Sequence, residues 1–439
     1  MKKVHFIGIG GIGLSALAKF LARDGYQISG SDVKKSEITD DLEQNFGAKI
    51  TIPHHEDAIT KDIDTIIYSA VIKPENVEYK RAEELGLNIY SRKEALKSIL
   101  SGKRVYAVGG AHGKSTTSAI LSSLLPKSSA LIGAISKEFG SNVRDGDRKS
   151  VVFEADESDE SFLNSNPHLA IVTNVEPEHM EYYEYDEDRF YQAYRNFLNL
   201  AKIRVLNAED EFLSSIESES IKLFPSKDIK NIEYILKDGK PFTRFNLKNL
   251  GQFEVFGFGE HIALDASLAI LAGVALGENL DKLRDNLTNY QGIKKRFDII
   301  QNFQNSVIID DYGHHPTEIK ATLQALKVFK EKRGLSKIVA IWQPHKYTRT
   351  KDNLDGFVEC FNGVDELIIL PIWSAGESEI EIDLEGEFEK YSPLMADKIQ
   401  RDGQRVQVIK DGKILKSFDD GLIVGFGAGD ITCQIRGKA

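Results

Sequence analysis

The sequence is poor in the features that mark secreted, zinc-binding and membrane proteins. Its 439 residues include two cysteines, Cys360 and Cys433, with no C-x-x-C spacing, so we expect neither a disulfide framework nor a zinc site of that type. No apolar run approaches the roughly 20 residues of a membrane helix. Met1-Lys2-Lys3 runs straight into a strand pattern, without the apolar core of a signal peptide. We therefore expect a soluble, cytoplasmic protein with no membrane partner.

Positive charge is also in deficit. The chain has 56 Lys and Arg against 67 Asp and Glu, a net charge of -11. An acidic surface does not offset the repulsion of nucleic-acid phosphates, so we expect no nucleic-acid partner. The hydrophobic content of 41% is that of an ordinary globular protein. A chain of this length is too long for one hydrophobic core, and two or three domains are expected.

Short apolar runs alternate with longer amphipathic segments, a pattern typical of α/β units around parallel sheets. Leu14, Leu17, Ala18 and Leu21, for example, fall on one face of a helix that follows the strand Val4–Ile7. The pattern restarts near residue 104 and again after residue 298. We predict three α/β domains at residues 1–100, 101–295 and 296–439.

The first glycine-rich turn, GIGGIG, lies between a strand and a helix. Gly8, Gly10 and Gly13 fit G-x-G-x-x-G, and Asp32 follows where an acid that binds ribose is expected. Glycines let a pyrophosphate approach the backbone, and the helix N-terminus favours its charge. This pattern selects a diphosphate, and it leaves a UDP-sugar, FAD and NAD equally open. It predicts a Rossmann-like first domain.

The second glycine-rich turn, GGAHGKSTT, resembles a loop for the phosphates of ATP. Gly113, Lys114 and Ser115 have the order of a P-loop, although Val108 stands where the full motif has glycine. In such a loop the backbone amides surround the phosphates, the lysine contacts the outer ones, and the hydroxyl holds Mg²⁺. We predict a P-loop ATPase-like central domain around a parallel or mixed sheet.

Acids follow two later strands of this central block. FEADESDESF supplies Glu154, Asp156, Glu157 and Asp159, and TNVEPEHM supplies Glu176 and His179. The carboxyl ends of parallel strands open on one edge, so we expect Ser115, Glu154 and His179 to converge. A carboxylate with a hydroxyl suits Mg²⁺, whereas histidine is a less usual ligand for that ion.

Two polar clusters, DDYGHHPTE and QPHKYTRT, lie at strand ends of the third block. Lys346 and Arg349 in the second cluster would suit a substrate carboxylate. Two solvated loops are an equally good interpretation of these clusters taken alone.

Taken in order, these motifs resemble those of the Mur ligase family. The resemblance runs from residue 4 to residue 430 and includes GSD, GEHIALDAS and KKRFD. It implies a domain that binds a UDP-sugar, a central ATPase domain, and a Rossmann-like C-terminal domain that closes on the nucleotide and binds the amino acid. The implied activity is the ATP-dependent joining of L-alanine to the lactyl carboxylate of UDP-N-acetylmuramate through an acyl phosphate, in peptidoglycan synthesis.

The resemblance also implies roles for individual residues. The UDP-sugar contacts are Gly10, Gly11, Ile12, Gly13, Asp32 and Ser69. The ATP contacts are Gly110, Ala111, His112, Gly113, Lys114, Ser115, Thr116, Asp265, Arg296, Asp310 and His314. The metal ligands are Ser115, Glu154 and His179; the catalytic residues are Lys114, Glu154, His179 and Arg296. His345, Lys346 and Arg349 surround the amino acid.

Two positions depart from the family pattern. The family commonly has H-N-x-x-N where this chain has His261, Ile262 and Asp265, so the adenine contacts expected there are changed. Lys346 replaces the more usual arginine, and lysine lacks the planar pair of donors that binds a carboxylate.

Three alternatives are weighed against this hypothesis. A family member that attaches a preformed tripeptide to the same UDP-sugar is expected to differ in the two C-terminal clusters. An NAD-dependent oxidoreductase would explain GIGGIG and Asp32 but not the phosphate loop. An inactive nucleotide-binding scaffold fits poorly with an intact Lys114, Glu154 and His179. The oligomeric state is expected to be a monomer or a homodimer.

Overall fold

The computed structural model describes residues 2–438, and the chain divides into two compact units. Unit 1 comprises Met1–Lys230, Leu247–Leu250 and Leu264–Tyr290. Unit 2 comprises Asn231–Asn246, Gly251–Ala263 and Gln291–Ala439. Each of the three predicted α/β blocks has its own sheet, which confirms the predicted fold class. The predicted borders near residues 100 and 295 stay predictions.

The first sheet of unit 1 has five parallel strands. In spatial order they are Lys49–Thr51, Gln27–Ser31, Lys3–Ile7, Thr65–Tyr68 and Asn88–Ser91. The accompanying helices are Ile12–Arg23, Glu37–Phe46, Val77–Glu84 and Arg92–Ile99, with a 3₁₀ turn at Glu56–Ala58. The central strand leads directly into the glycine turn, as the sequence predicts.

The second sheet of unit 1 has seven strands, parallel except for the last. In spatial order they are Ile221–Leu223, Ile203–Asn207, Leu169–Val172, Arg104–Gly109, Ser150–Glu154, Ser129–Leu131 and Val143–Arg144. The helices of this part of the chain are Lys114–Leu124, Glu187–Leu200, Glu211–Ser214, Pro225–Asp228, Glu260–Ala275 and Leu280–Leu287, with a 3₁₀ turn at Ser161–Asn164. The phosphate loop and the strand that ends at Glu154 are neighbours at one edge.

The third sheet, in unit 2, has six strands, of which the first is antiparallel to the second. In spatial order they are Asp298–Asn302, Ser306–Asp311, Gly421–Phe426, Ile338–Trp342, Glu366–Ile369 and Leu394–Met395. The helices are Pro316–Arg333, Tyr347–Asp352, Leu354–Cys360, Leu384–Glu387 and Ile431–Ile435, with a 3₁₀ turn at Glu389–Tyr391. Ile319, Leu323 and Leu326 are buried on one face of the helix Pro316–Arg333.

Two small antiparallel sheets were not predicted from the sequence. The first consists of Ile229–Lys237, Lys240–Leu247 and Gln252–Phe256, and the second of Lys398–Asp402, Arg405–Lys410 and Lys413–Phe418. Among residues 2–438, no helix combines the length and the apolar composition that crossing a membrane requires.

A buried polar contact joins the first two α/β blocks inside unit 1. The Asn142 amide nitrogen donates to the Ile12 carbonyl over 2.8 Å and lies 3.2 Å from Ser15 Oγ. Asn142 Oδ1 accepts from Lys19 Nζ over 2.9 Å, and Lys19 Nζ lies 2.6 Å from Asp41 Oδ2. Asn142 is 0% exposed and Lys19 1%. The side chain of Asn142 therefore fastens the helix that follows the glycine turn to the second block.

We expect Lys19→Met to lower the free energy of unfolding by about 2 kcal/mol, because it leaves the buried Asn142 Oδ1 without its donor and Asp41 without its cation. Urea unfolding of both proteins measures the difference. Lys35→Met is the control, since Lys35 pairs with Asp40 at the surface and such pairs contribute little. Equal unfolding midpoints for Lys19→Met and the unchanged chain would contradict the expectation.

Candidate active site

The first glycine turn is held by one of the predicted residues, Asp32. The Gly10 amide donates to Asp32 Oδ2 over 2.7 Å, and a Cβ atom at Gly10 would lie 2.8 Å from that oxygen. The adjoining helix begins at Ile12, and its N-cap, Gly11, gives the first-turn amides no side-chain hydrogen bond. This arrangement suits a bound anion, because helix N-termini favour negative charge.

A cavity of about 490 Å³ adjoins this turn within unit 1. Its walls include Gly11, Gly13 and Ser69 from the first block and Glu154 and Asp156 from the second. Four predicted UDP-sugar residues, Gly11, Ile12, Gly13 and Ser69, thus line the same cavity as Glu154, a predicted metal ligand. Arg92, which the sequence analysis did not single out, also lines it.

The phosphate loop forms as predicted between a strand and a helix. Gly110 and Gly113 have φ values of +131° and +82°, which favour glycine. Asn174 holds the loop from the next strand: it accepts from the His112 amide over 2.9 Å and donates to the His112 carbonyl over 3.0 Å. Asn174 lies in the motif TNVEPEHM, but nothing in the pattern distinguished it from its neighbours.

Lys114 is folded back onto its own loop. Its Nζ donates to the Ala111 carbonyl over 3.0 Å and to Glu157 Oε1 over 2.7 Å, and Glu157 is 1% exposed. Burial opposes the charge on Lys114 most strongly, but the combined attraction of Glu157, Asp156 and Glu154 outweighs it and raises the pKa of Lys114. The lysine therefore stays cationic, with a buried carboxylate as its partner.

Two groups of possible metal ligands lie near the loop. Ser115 Oγ donates to Glu154 Oε1 over 2.9 Å, and the Gly133 amide donates to Glu154 Oε2 over 2.6 Å. A ring nitrogen of His179 and carboxylate oxygens of Glu157 and Glu178 lie within 4.8 Å of one another. The hydroxyl and carboxylate of the first group fit Mg²⁺, which prefers oxygen ligands.

Asp265, at the position that departs from the family pattern, lies against the phosphate loop. It is 5% exposed, and a Cβ atom at Gly113 would lie 2.6 Å from its Oδ1. The carboxylate thus lies beside Gly113, the N-cap of the loop's helix.

In unit 2, Glu318 organises two of the predicted nucleotide contacts. Its Oε1 accepts from Arg296 Nη1 over 2.7 Å, and its Oε2 accepts from the amides of His314 and His315 over 3.1 and 3.3 Å. Burial opposes the charge on Arg296 most strongly, but the combined attraction of its neighbours, chiefly Glu318 and Asp311, outweighs it and raises the pKa of Arg296. Glu318 ends the motif DDYGHHPTE but was not predicted as a site residue.

Asp310 is occupied by partners within unit 2. It is 1% exposed, and its Oδ2 accepts from Thr432 Oγ1 over 2.7 Å and from Arg436 Nε over 2.6 Å. The next residue, Asp311, accepts from the amides of Phe297 and Gly313 over 2.7 and 2.9 Å. Asp311 is therefore the carboxylate that supports the segment following Arg296.

The predicted amino-acid residues form one cluster. Arg349 Nη1 lies 3.0 Å from His345 Nδ1, and the His345 and His314 rings have centroids 6.0 Å apart. Lys346 Nζ lies 3.8 Å from Glu377 Oε1. Burial and the neighbouring Arg349 lower the pKa of His345 to about 4. At neutral pH the cluster's charge therefore resides on Arg349 and Lys346.

The lowered pKa of His345 makes stability depend on pH. The unfolded chain binds a proton at His345 below its ordinary pKa of 6.5, whereas the folded chain resists it down to about pH 4. The stabilisation is present above pH 6.5 and is lost as the pH falls through 4. We expect the unfolding midpoints of the unchanged chain and His345→Asn to converge over that range. A midpoint difference that stays constant with pH would contradict this.

Three family models match the chain. They are described as Mur ligase family, catalytic domain, at residues 3–104; Mur ligase middle domain, at residues 108–273; and Mur ligase, glutamate ligase domain, at residues 295–416.

Full-length relatives agree with these models. A UDP-N-acetylmuramate–L-alanine ligase of Campylobacter curvus is 57% identical over 438 residues, which cover 100% of both chains. One of Helicobacter pylori is 52% identical over 439 residues, 99% of this chain and 96% of the relative. The crystal structure of UDP-N-acetylmuramate-alanine ligase MurC from Thermotoga maritima matches with a TM-score of 0.83 and 26% identity, over 99% of this chain and 98% of that one. A murein peptide ligase from Psychrobacter arcticus shares the fold, with a TM-score of 0.67 and 20% identity, over 98% of this chain and 97% of that one.

Proposed function

The chain belongs to the Mur ligase family, and from that premise we propose that it joins L-alanine to the lactyl carboxylate of UDP-N-acetylmuramate at the expense of ATP. The products are UDP-N-acetylmuramoyl-L-alanine, ADP and phosphate, and the reaction serves peptidoglycan precursor synthesis. The observation that carries the proposal is the shared cavity, whose walls include both the glycine turn and Glu154. A nucleotide sugar bound there would place its lactyl carboxylate toward the phosphate loop.

The UDP-sugar is assigned to the first block. Its diphosphate would lie on the amides of Gly10, Gly11, Ile12 and Gly13, where the helix begins. Asp32 supports that turn through Gly10, and Ser69 lines the same cavity.

ATP is assigned to the phosphate loop, residues 110–116, with Asp265 beside it. Ser115 and Glu154 would hold one Mg²⁺, and His179, which lies with Glu157 and Glu178 in a separate group, would hold a second. When bound, these ions would neutralise phosphate charge. From unit 2, Arg296 and His314 would contact the nucleotide. Asp310, predicted as a third contact, is 1% exposed, and its bonds to Thr432 and Arg436 would instead support the strand Ser306–Asp311, which precedes His314. The closing of the C-terminal domain on the nucleotide stays a prediction, and solution scattering with and without an ATP analogue tests it.

The chemistry follows from charge. A carboxylate resists attack by an amine, so the lactyl carboxylate first accepts the γ-phosphoryl group of ATP and becomes an acyl phosphate. The amine of L-alanine then attacks the acyl carbon, and phosphate leaves from the tetrahedral intermediate. Lys114 and Arg296 offset the negative charge that gathers between the two substrates. His345, Lys346 and Arg349 would hold the alanine carboxylate, with Arg349 already oriented by His345.

The remaining alternatives differ in their second substrate or their chemistry. Membership of a ligase family and the formed phosphate loop leave an NAD-dependent oxidoreductase without support. The tripeptide-adding ligase shares the fold. An assay distinguishes the two activities only by the amine substrate, which is L-alanine in one and the tripeptide in the other.

The test is phosphate release from ATP with Mg²⁺ and UDP-N-acetylmuramate, with L-alanine, tripeptide or neither added, followed by mass analysis. We expect release that requires L-alanine and a product heavier by one alanyl residue. Release with tripeptide alone would favour the recycling activity. No release by a folded protein that binds ATP would contradict the proposed function.

A further inference from the structure

Arg92 lines the cavity where residues of the first α/β block meet residues of the second. It is the first residue of the helix Arg92–Ile99 in the first block, and its side chain is 16% exposed. Its Nη1 lies 3.3 Å from Ser161 Oγ, 3.6 Å from Asp156 Oδ2 and 3.9 Å from Asp159 Oδ2. Three groups of the second block therefore fix the orientation of this guanidinium.

The opposite edge of the guanidinium faces the glycine turn. A Cβ atom at Gly13 would lie 3.0 Å from Arg92 Nε and 3.2 Å from Nη2. Nε is buried and has no hydrogen-bond partner within residues 2–438. A side chain at position 13 would therefore require the Arg92 guanidinium to shift by a few tenths of an ångström.

A buried donor without a partner is unusual in a folded protein, and here it belongs to a residue that lines the cavity. The Nε and Nη2 hydrogens of an arginine point in parallel and match two oxygens of one phosphate or carboxylate. The amides at the start of the helix Ile12–Arg23 face the same turn. The two sets of donors together define a site for a phosphate group next to Gly13.

We propose that Arg92 binds the diphosphate of the nucleotide sugar through its Nε–Nη2 edge, while Asp156, Asp159 and Ser161 hold its other edge. The inference rests on the proposed function, since it takes the nucleotide sugar as the ligand. Arg92 would then connect the diphosphate to the acidic segment that starts at Glu154, and so fix the position of the substrate along the cavity.

The test measures binding of UDP, uridine and UDP-N-acetylmuramate to the full-length chain by calorimetry or ligand-observed NMR. Arg92→Lys keeps the charge but loses the planar pair of donors, and Arg92→Ala loses both. We expect UDP and UDP-N-acetylmuramate to bind on the order of 10-fold more weakly to Arg92→Lys, and still more weakly to Arg92→Ala. Uridine has no phosphate and should bind all three proteins equally. A variant with a disturbed fold would bind uridine more weakly as well. Lys97→Ala, an exposed lysine of the same helix, is the control.

Other outcomes separate this inference from the proposed function. Equal UDP affinity in the unchanged chain and both variants would overturn the role of Arg92 and leave the ligase intact. A loss confined to UDP-N-acetylmuramate would also overturn it, because the arginine would then contact the lactyl carboxylate. UDP binding that depends on Arg92, in a protein that makes no alanyl product, would support the inference and contradict the proposed function.

Discussion

Lys114→Met is expected to slow alanine-dependent phosphate release by on the order of 1,000-fold, the scale seen when a preorganised charge-stabilising group is removed from an active site. Lys114 is the one residue of the loop whose ammonium group reaches both the loop carbonyls and the buried Glu157. Binding of ATP would exchange these partners for phosphate oxygens. Since negative charge develops on the leaving ADP oxygen during transfer, the loss should fall mainly on kcat.

The measurement is a comparison of kcat and KM for the two proteins with saturating UDP-N-acetylmuramate and L-alanine. Lys127→Met, an exposed lysine just beyond the same helix, serves as the control. A variant that raised the KM for ATP but kept kcat would show that Lys114 binds the nucleotide equally well in the ground and transition states. That result would contradict its assignment to catalysis.

Glu154→Gln is expected to lower activity by on the order of 100-fold and to raise the Mg²⁺ concentration needed for half-maximal rate. The glutamine keeps an oxygen that can accept from Ser115, but it lacks the charge that attracts the ion. Its amide group would also face the Gly133 amide, which now donates to Glu154 over 2.6 Å.

Activity titrated with Mg²⁺ measures this effect, and partial recovery at high Mg²⁺ is expected. Glu181→Gln, which neutralises an exposed acid further along the same part of the chain, should leave the titration unchanged. An identical Mg²⁺ dependence in Glu154→Gln and the unchanged chain would mean that Glu154 is not a metal ligand.

Much of the local structure around the candidate site could be predicted from the sequence. The strand, glycine turn and helix at Gly8–Gly13 and at Gly110–Gly113 follow from patterns within about a dozen residues, and glycines with positive φ mark both turns. The meeting of Ser115 with Glu154 also follows from a general rule, because adjacent parallel strands end on the same edge. These features need no knowledge of distant contacts.

The residues that the sequence did not reveal act across long separations. Arg92 and Ser161 are 69 positions apart, and Asn142 and Ile12 are 130 apart. The apolar face of the helix Ile12–Arg23 was predicted correctly, but every residue from Leu14 to Leu21 is buried, including Lys19. The second block also packs against the polar face of this helix. The periodicity of the helix sequence gives no sign of that contact. Which of Asp310 and Asp311 accepts from the Phe297 amide, next to Arg296, likewise depends on which side of the sheet each side chain occupies.

The fastening of Ile12 by the buried Asn142 has a consequence for which acids the protein accepts. Because that contact fixes the glycine turn against the block that carries Glu154, we expect the span between them to change little when a ligand binds. The length of the acidic arm, counted in bonds from the diphosphate to the carboxylate, would then decide how close the carboxylate comes to the phosphate loop. Nucleotide sugars with a shorter or longer acidic arm should still bind through the nucleotide, and discrimination against them should appear in the rate of acyl transfer rather than in affinity.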